Sequence, residues 1–175
     1  MHTLEDLESG ALAGARHVRL THLGLSHFPR QLLDLADTLE ILDLSGNQLT
    51  ALPNELAHFP QLRILFASCN PFTELPRVLG QCPQLEMVGF KACQIQHVPA
   101  DSLPPRLRWL ILTDNQISQL PDSLGQRPRL QKLMLSCNQL HALPNLSGCT
   151  RLELLRIASN CFTTLPDSLL TLPAL

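Results

Sequence analysis

The residues that could do chemistry are spread thinly along this chain of 175 residues. Seven histidines and six cysteines are present, and the nearest group of histidines is His17, His22 and His27. The geometry of a strand followed by a loop aims these three rings in different directions, which argues against a metal site there. No phosphate-binding loop, dinucleotide fingerprint, zinc-protease motif or nucleophile elbow occurs. The sequence therefore predicts no catalytic residue, no cofactor and no metal.

The pattern that does recur is L-x-x-L-x-L-x-x-N-x-L-x-x-L-P, written out most fully from Leu107 to Pro121. Its middle alternates with the period of a strand, while the Leu-Pro tail must leave the strand and turn. Seven copies begin near residues 15, 39, 62, 85, 107, 130 and 152, so successive copies are 22 to 24 residues apart. One copy cannot bury its own leucines, so the copies must stack.

Stacking predicts an α/β solenoid in which each copy contributes one short strand to a parallel sheet on the concave face. Segments such as 122–127 then form short helical or irregular turns on the convex face. Five asparagines recur where the strand ends, and we expect them to form a buried ladder that bonds backbone groups within a turn and toward the next: Asn47, Asn70, Asn115, Asn138 and Asn160. Leu23 and Cys93 replace the asparagine in the first and fourth copies, and looser backbone bonding is expected there.

The two ends of the chain are predicted to differ. Residues 1–14 are acidic and space their leucines as an amphipathic helix does, which predicts a helix from about Thr3 to Ala13 that caps the first copy. The repeats fill residues 15–175, and Leu175 matches the first leucine of an eighth copy that is cut off. An uncapped apolar end would favour end-to-end self-association.

The outward positions of the predicted strands carry the functional prediction. Seven apolar residues occupy them, although the core does not require apolar residues there: Ile41, Ile64, Phe66, Met87, Trp109, Ile111 and Met134. They should form one concave patch about 20 Å long, at roughly 4.8 Å per strand. Its predicted rim is charged and consists of Arg19, Asp43, Lys91, Asp114, Lys132 and Arg156. Such a patch favours binding of a protein or peptide, with Trp109 as the anchor; the alternative is packing against the rest of the same protein.

The net charge and the placement of the cysteines limit the classes of partner and the cellular compartment that we expect. A net charge of −2 gives no field that would select nucleic acid or an anionic membrane. The cysteines lie inside the copies rather than clustered in end caps, and the N-terminus is not a secretory signal, so we expect reduced thiols and a cytoplasmic location. Cys69 with Cys93, and Cys137 with Cys161, lie on adjacent copies, which leaves an accidental bridge open.

The repeat resembles intracellular leucine-rich repeats of the 23-residue L-P-x-x-L type, and the resemblance covers residues 15–175. That likeness implies a right-handed leucine-rich repeat solenoid shaped as a horseshoe arc. Residues 79–91 and 103–115 look like the repeat region of bacterial leucine-rich repeat protein kinases, which would make this chain the regulatory or docking part of an ATP-dependent enzyme. No kinase motif occurs in the chain, so the resemblance carries over no catalytic residue. A bacterial effector that binds host proteins is a third alternative.

Overall fold

The computed structural model describes residues 1–175, and its centre is an open parallel sheet of seven strands in chain order. Each strand is three residues long: β1 His17–Arg19, β2 Ile41–Asp43, β3 Ile64–Phe66, β4 Met87–Gly89, β5 Trp109–Ile111, β6 Lys132–Met134 and β7 Leu154–Arg156. Equivalent positions of neighbouring copies pair in register, as Met87 with Trp109 and Trp109 with Lys132 do. The predicted solenoid with a concave parallel sheet is therefore confirmed.

The convex side carries short 3-10 helices, each of which begins directly after the proline of a Leu-Pro, Phe-Pro or Val-Pro pair. They span Arg30–Leu35, Asn54–His58, Arg77–Gln81, Ala100–Ser102, Asp122–Gln126 and Asp167–Thr171. The preceding prolines are extended, and the fixed proline φ suits the residue at which a helical turn starts. Pro144 is followed by no helix, so the sixth copy crosses the convex side as irregular chain.

The inward leucines of all copies join into one core of 41 buried apolar residues. The central residue of each strand from Val18 to Leu133 is fully buried, because alternation turns it away from the concave face. Leu155, its equivalent in β7, is only half-buried. The core is thus a continuous rod along the solenoid rather than a single centre.

The asparagine ladder forms, and four of its five members are buried. Asn115 is typical: its Oδ1 accepts from the backbone N–H of Ile95 at 3.0 Å, and its Nδ2 donates to the carbonyls of Phe90 at 2.9 Å and Leu112 at 3.0 Å. Ile95 and Phe90 belong to the preceding copy, not the next one. The predicted bonds within a turn are confirmed. The predicted direction of the bonds between turns was wrong, since each side chain bonds to the bend of the turn before it.

That direction explains the two departures from the ladder. The first copy has no earlier turn to bond, so Leu23 loses nothing by lacking an amide, and it packs against the core instead. Cys93 does interrupt the bonding. Its Sγ makes only long contacts, 3.5 Å to the Ala67 carbonyl and 3.7 Å to the Lys91 carbonyl, and the N–H of Phe72 donates to no oxygen. The expected looser bonding at Cys93 is therefore present.

Glycines on the convex side allow the two short copies to pack closely. The copies that start at Leu85 and Leu130 are 22 residues long, and each lies beside a glycine of the copy before it. A Cβ on Gly80 would collide with the Asp101 carbonyl oxygen, and a Cβ on Gly125 with the Asn145 carbonyl oxygen. Because both obstacles are backbone atoms, these positions admit no side chain without a shift of the chain.

The N-terminal helix is shorter than predicted. Helix α1 covers Leu4–Glu8, and Thr3 caps it in a reciprocal pair of bonds with Asp6. Gly10 has a φ of +79°, a left-handed conformation that ends the helical path before Ala13. His2, just before the cap residue, also covers the first sheet edge. Its N–H donates to the Arg19 carbonyl at 2.8 Å, and its Nδ1 accepts from the N–H of Arg19 at 3.0 Å.

Candidate protein-binding surface

The seven apolar residues of the predicted patch lie on the outward face of β2 to β6. The sheet places Ile41, Ile64, Met87 and Trp109 in one row, and Phe66, Ile111 and Met134 in the row beside it. All seven side chains are partly exposed, and none is part of the buried core. We call this surface the concave patch. Its apolar side chains contribute little to the core, so the fold itself does not explain them.

Phe66 covers the gap that Gly89 leaves in the second row. A Cβ on Gly89 would lie only 2.6 Å from Cδ1 of Phe66, so the phenyl ring lies across the glycine of the next strand. Gly89 is buried as a result. The Phe66 ring thus occupies the space that a side chain at Gly89 would take, and the apolar surface continues from Phe66 to Ile111.

Trp109 lies near the centre of the concave patch but is not free on both faces. The Nζ of Lys132 stands 4.0 Å from the centroid of the indole ring, and the indole Nε1 donates to Gln131 Oε1 at 3.3 Å. A cation over a partly exposed ring contributes about 0.5–1 kcal/mol. The ring is therefore held in one orientation before any partner binds. Lys132, predicted at the rim, instead lies over the predicted anchor.

A row of alternating charges runs along the strand-entry side of the concave patch, and the sequence analysis missed it. Glu40 stands between Arg16 at 3.7 Å and Arg63 at 3.6 Å. Glu86 in turn lies 3.4 Å from Arg108. The signal was present in the sequence, because these residues all occupy the second position of their copies, after Ala15 in the first copy and after a leucine in the others. Pairs this exposed contribute little stability each, but they neutralise one another along this edge.

The other predicted rim residues do not form one border. Arg19 and Asp43 lie 3.8 Å apart and pair with each other, whereas Arg156 is exposed and contacts no carboxylate. Lys91 and Asp114 are exposed but occupy different positions of their copies. Asp114 has a φ of +60° and takes the bend residue before the ladder asparagine, a place that Gly46 and Cys69 fill in earlier copies.

Hydroxyl groups satisfy the backbone where two of the strands end. Ser45 Oγ accepts from the N–H of Ser68 at 3.1 Å, and Ser68 Oγ accepts from the N–H of Lys91 at 3.0 Å. These bonds repeat from copy to copy and stop at Lys91, which has no hydroxyl. They are structural, and they fix the edge at which the concave patch meets the bends.

The remaining reactive groups do not converge. His17, His22 and His27 form no cluster with other metal-binding side chains. Burial raises the pKa of the Cys82 thiol to about 12 and also raises the pKa of Cys93 and Cys149. Such thiols stay protonated and unreactive near neutral pH. No helix is long and apolar enough to cross a membrane.

An open parallel sheet with one short strand per copy, and an asparagine ladder that bonds the bends of neighbouring copies, defines a solenoid repeat protein. Two family descriptions match the sequence: "Leucine rich repeat" over residues 105–160 and "Leucine Rich Repeat" over residues 38–59. Together with the fold, these matches show that the chain contains leucine-rich repeats over residues 38–59 and 105–160. A comparison with curated proteins found no match.

Solved structures with the same fold include receptors and a bacterial protein. A plant peptide hormone receptor, RGFR1 in complex with RGF2, is 27% identical with a TM-score of 0.81 over 96% of this chain and 28% of its own. The TLR13–ssRNA13 complex is 30% identical with a TM-score of 0.76, over 85% of this chain and 22% of its own. YopM from Yersinia enterocolitica is 30% identical with a TM-score of 0.62, over 85% and 28%.

This chain therefore spans less than a third of the length of these three proteins. One of them is in complex with a peptide hormone and another with single-stranded RNA, so the fold by itself does not select one class of ligand. The expectation that this chain binds no nucleic acid stays a prediction.

Proposed function

We propose that this chain is a non-catalytic interaction module that binds a protein or peptide through the concave patch. The observation that carries the proposal is the run of seven partly exposed apolar side chains across five paired strands, none of them part of the buried core. Apolar surface of this extent with polar borders marks interaction sites. The same proposal assigns the module to the cytoplasm, because its cysteines are spread through the copies rather than clustered in end caps.

The held orientation of Trp109 supports its role as the anchor. A partner that packs on the free face of the indole loses no entropy of ring ordering, because Lys132 and Gln131 already fix the ring. Phe66 over Gly89 offers a second flat apolar surface two strands away. Flat, rigid aromatic groups at the centre of an interface contribute most of its affinity.

Photocrosslinking tests the site directly. A benzoylphenylalanine at Ile111 should crosslink a cellular partner, and the same group at the exposed convex residue His58 should not. The double substitution Trp109→Ser and Phe66→Ser should abolish the recovery of that partner without changing the circular dichroism spectrum. Substituting the exposed convex residues His58 and Gln81 with Ser is the matched double control. Recovery that survives the double substitution would exclude the concave patch as the site.

A second proposal concerns the end of the solenoid. Apolar side chains of the seventh copy are exposed to solvent, with Leu165 58% and Leu170 86% exposed, and β7 has one unpaired edge. These features support end-to-end association of two copies. Light scattering across a concentration series should show dimers, and Leu170→Glu should shift them to monomers. A monomer at all concentrations would count against this association.

The regulatory or docking part of a bacterial protein kinase is a second candidate function. It rests on the resemblance of residues 79–91 and 103–115, and none of the known proteins compared above bears on it. Sequencing the gene downstream of Leu175 decides it: a glycine-rich loop followed by kinase motifs supports a kinase, and a ligase-like domain with a catalytic cysteine supports an effector instead.

A further inference from the structure

The small net charge of the chain hides a separation of charge along the solenoid. Residues 1–104 contain six Lys and Arg against eleven Asp and Glu, a balance of −5. Residues 105–175 contain seven against four, a balance of +3. The two ends of one rod-like molecule therefore attract opposite partners, although the total of −2 suggests neither.

Three arginines concentrate the positive charge in one row. Each stands directly before the first inward leucine of its copy, at consecutive turns: Arg106, Arg129 and Arg151. Because the strands that follow pair in register, these residues lie in line, about 5 Å apart. The same position is neutral in the second, third and fourth copies, where Thr38, Gln61 and Gln84 occupy it. We call the three arginines the basic flank.

The basic flank is poorly neutralised within the chain. Arg106 bonds only to the amide oxygen of Gln84, at 2.7 Å. Arg129 has one carboxylate near it, Glu86 at 3.8 Å, and Arg108 shares that carboxylate. Arg151 is exposed and contacts no acidic group. The five arginines that precede Arg106 in the chain differ, since each lies within 4.0 Å of a carboxylate: Arg16, Arg19, Arg30, Arg63 and Arg77.

The basic flank also adjoins the concave patch. Arg108, two residues after Arg106, bonds to Gln131 Oε1 at 3.1 Å, and the same oxygen accepts from the indole of Trp109. A partner that packs on Trp109 therefore brings its neighbouring residues within reach of the arginines. Lys132 over the ring adds a further cation on this side.

We propose that the basic flank binds a short acidic protein segment, a run of three or four Asp or Glu residues beside the apolar residues that dock on the concave patch. The proposal rests on the function proposed above, because the patch supplies the apolar half of the interface. Three arginines span about 10 Å, the length of three extended residues at about 3.3 Å each. A protein that makes roughly 6–10 phosphate contacts on a nucleic acid needs a larger set of cations than the three arginines of this row.

A charged peptide probe tests the basic flank separately from the concave patch. Fluorescein-labelled hexaglutamate should bind the chain at about 20 mM salt, and hexaserine should not bind; the affinity should fall at about 150 mM salt, where screening is stronger. The triple substitution Arg106→Gln, Arg129→Gln and Arg151→Gln should weaken hexaglutamate binding about tenfold or more, since three ion pairs are lost. Substituting Arg30, Arg63 and Arg77 by Gln removes the same charge elsewhere and should leave binding within about twofold.

The outcomes are distinguishable. Equal weakening by the two triple variants would overturn the basic flank as a site, and so would a twelve-residue uridine RNA that binds more tightly than hexaglutamate through the same arginines. Salt-dependent dimerisation abolished by the flank substitutions would reassign the flank to a second copy of this chain. The variant with Trp109→Ser and Phe66→Ser should still bind hexaglutamate, so failure of the concave patch and failure of the basic flank give different results.

Discussion

Restoring the interrupted asparagine ladder should stabilise the protein. Cys93→Asn would place an amide where the neighbouring copies have Asn70 and Asn115, beside a bend residue with the same positive φ. In those copies the amide oxygen accepts a bond from one backbone N–H, and the amide nitrogen donates to two backbone carbonyls. One carbonyl can accept from two ladder asparagines at once, as the Leu44 carbonyl does from Asn47 and Asn70. The thiol now offers two contacts of 3.5 Å and 3.7 Å in their place.

The magnitude follows from the groups that gain partners. Phe72 is fully buried, and its N–H, which faces the Cys93 sulfur, would acquire an oxygen acceptor. The carbonyls of Ala67 and Phe90 would each receive a bond of normal length. At about 1 kcal/mol net per hydrogen bond, discounted for the weak bonds lost, the free energy of unfolding should rise by about 2 kcal/mol. For a chain of this size that corresponds to an increase in Tm of about 4–8 °C.

Thermal and urea unfolding followed by circular dichroism measure this change. Asn115→Cys is the reciprocal variant and should lower the free energy of unfolding by about the same amount. Cys93→Ser is the matched control, because its short hydroxyl cannot reach the acceptors and the donor together. A Cys93→Asn protein no more stable than the parent, or an Asn115→Cys protein without loss, would refute the account of the ladder given above.

Three further predictions rest on other contacts. Gly80→Ala or Gly125→Ala should destabilise the chain by about 1–3 kcal/mol, because the new Cβ collides with the Asp101 or Asn145 carbonyl. Gln81→Ala, at an exposed position, is the control and should not change the stability. The midpoints of urea unfolding measure both effects, and a Gly80→Ala protein of unchanged stability would disprove the close approach. A disulfide-exchange reagent at pH 8 should quickly modify the exposed thiols Cys69, Cys137 and Cys161. Cys82 should react only after unfolding, because a pKa of about 12 keeps its thiol protonated in the native protein at this pH. Fast reaction of Cys82 in the native protein would contradict this. Lys132→Ala should cost about 0.5–1 kcal/mol and increase acrylamide quenching of the single tryptophan; unchanged quenching would show that Lys132 does not cover the ring.

The framework of the fold was predictable from sequence, because alternation and a fixed copy length determine which residues face inward. The same alternation placed the residues of the concave patch on one face and in register. The contacts between side chains of neighbouring strands were not predictable from the pattern. Phe66 over Gly89, and Lys132 over Trp109, depend on rotamers that only the packed sheet decides.

Two errors came from what the pattern omits. The length of α1 was overestimated, since leucine spacing alone ignores that Gly10 and Gly14 favour left-handed backbone. The basic flank was missed because a total charge averages over the chain, whereas Arg106, Arg129 and Arg151 become neighbours only when the copies are aligned. The position just before the first leucine would have revealed them.

The asparagine ladder makes the solenoid directional. Each amide closes the bend of the turn before it, so a bend stays open until the next copy, 22 to 24 residues later, has been added. During synthesis a turn that precedes a ladder asparagine would leave the ribosome with an unsatisfied N–H and gain its acceptor only from the turn that follows. The order of translation thus matches the order in which the turns can be completed, from the N-terminal helix onward.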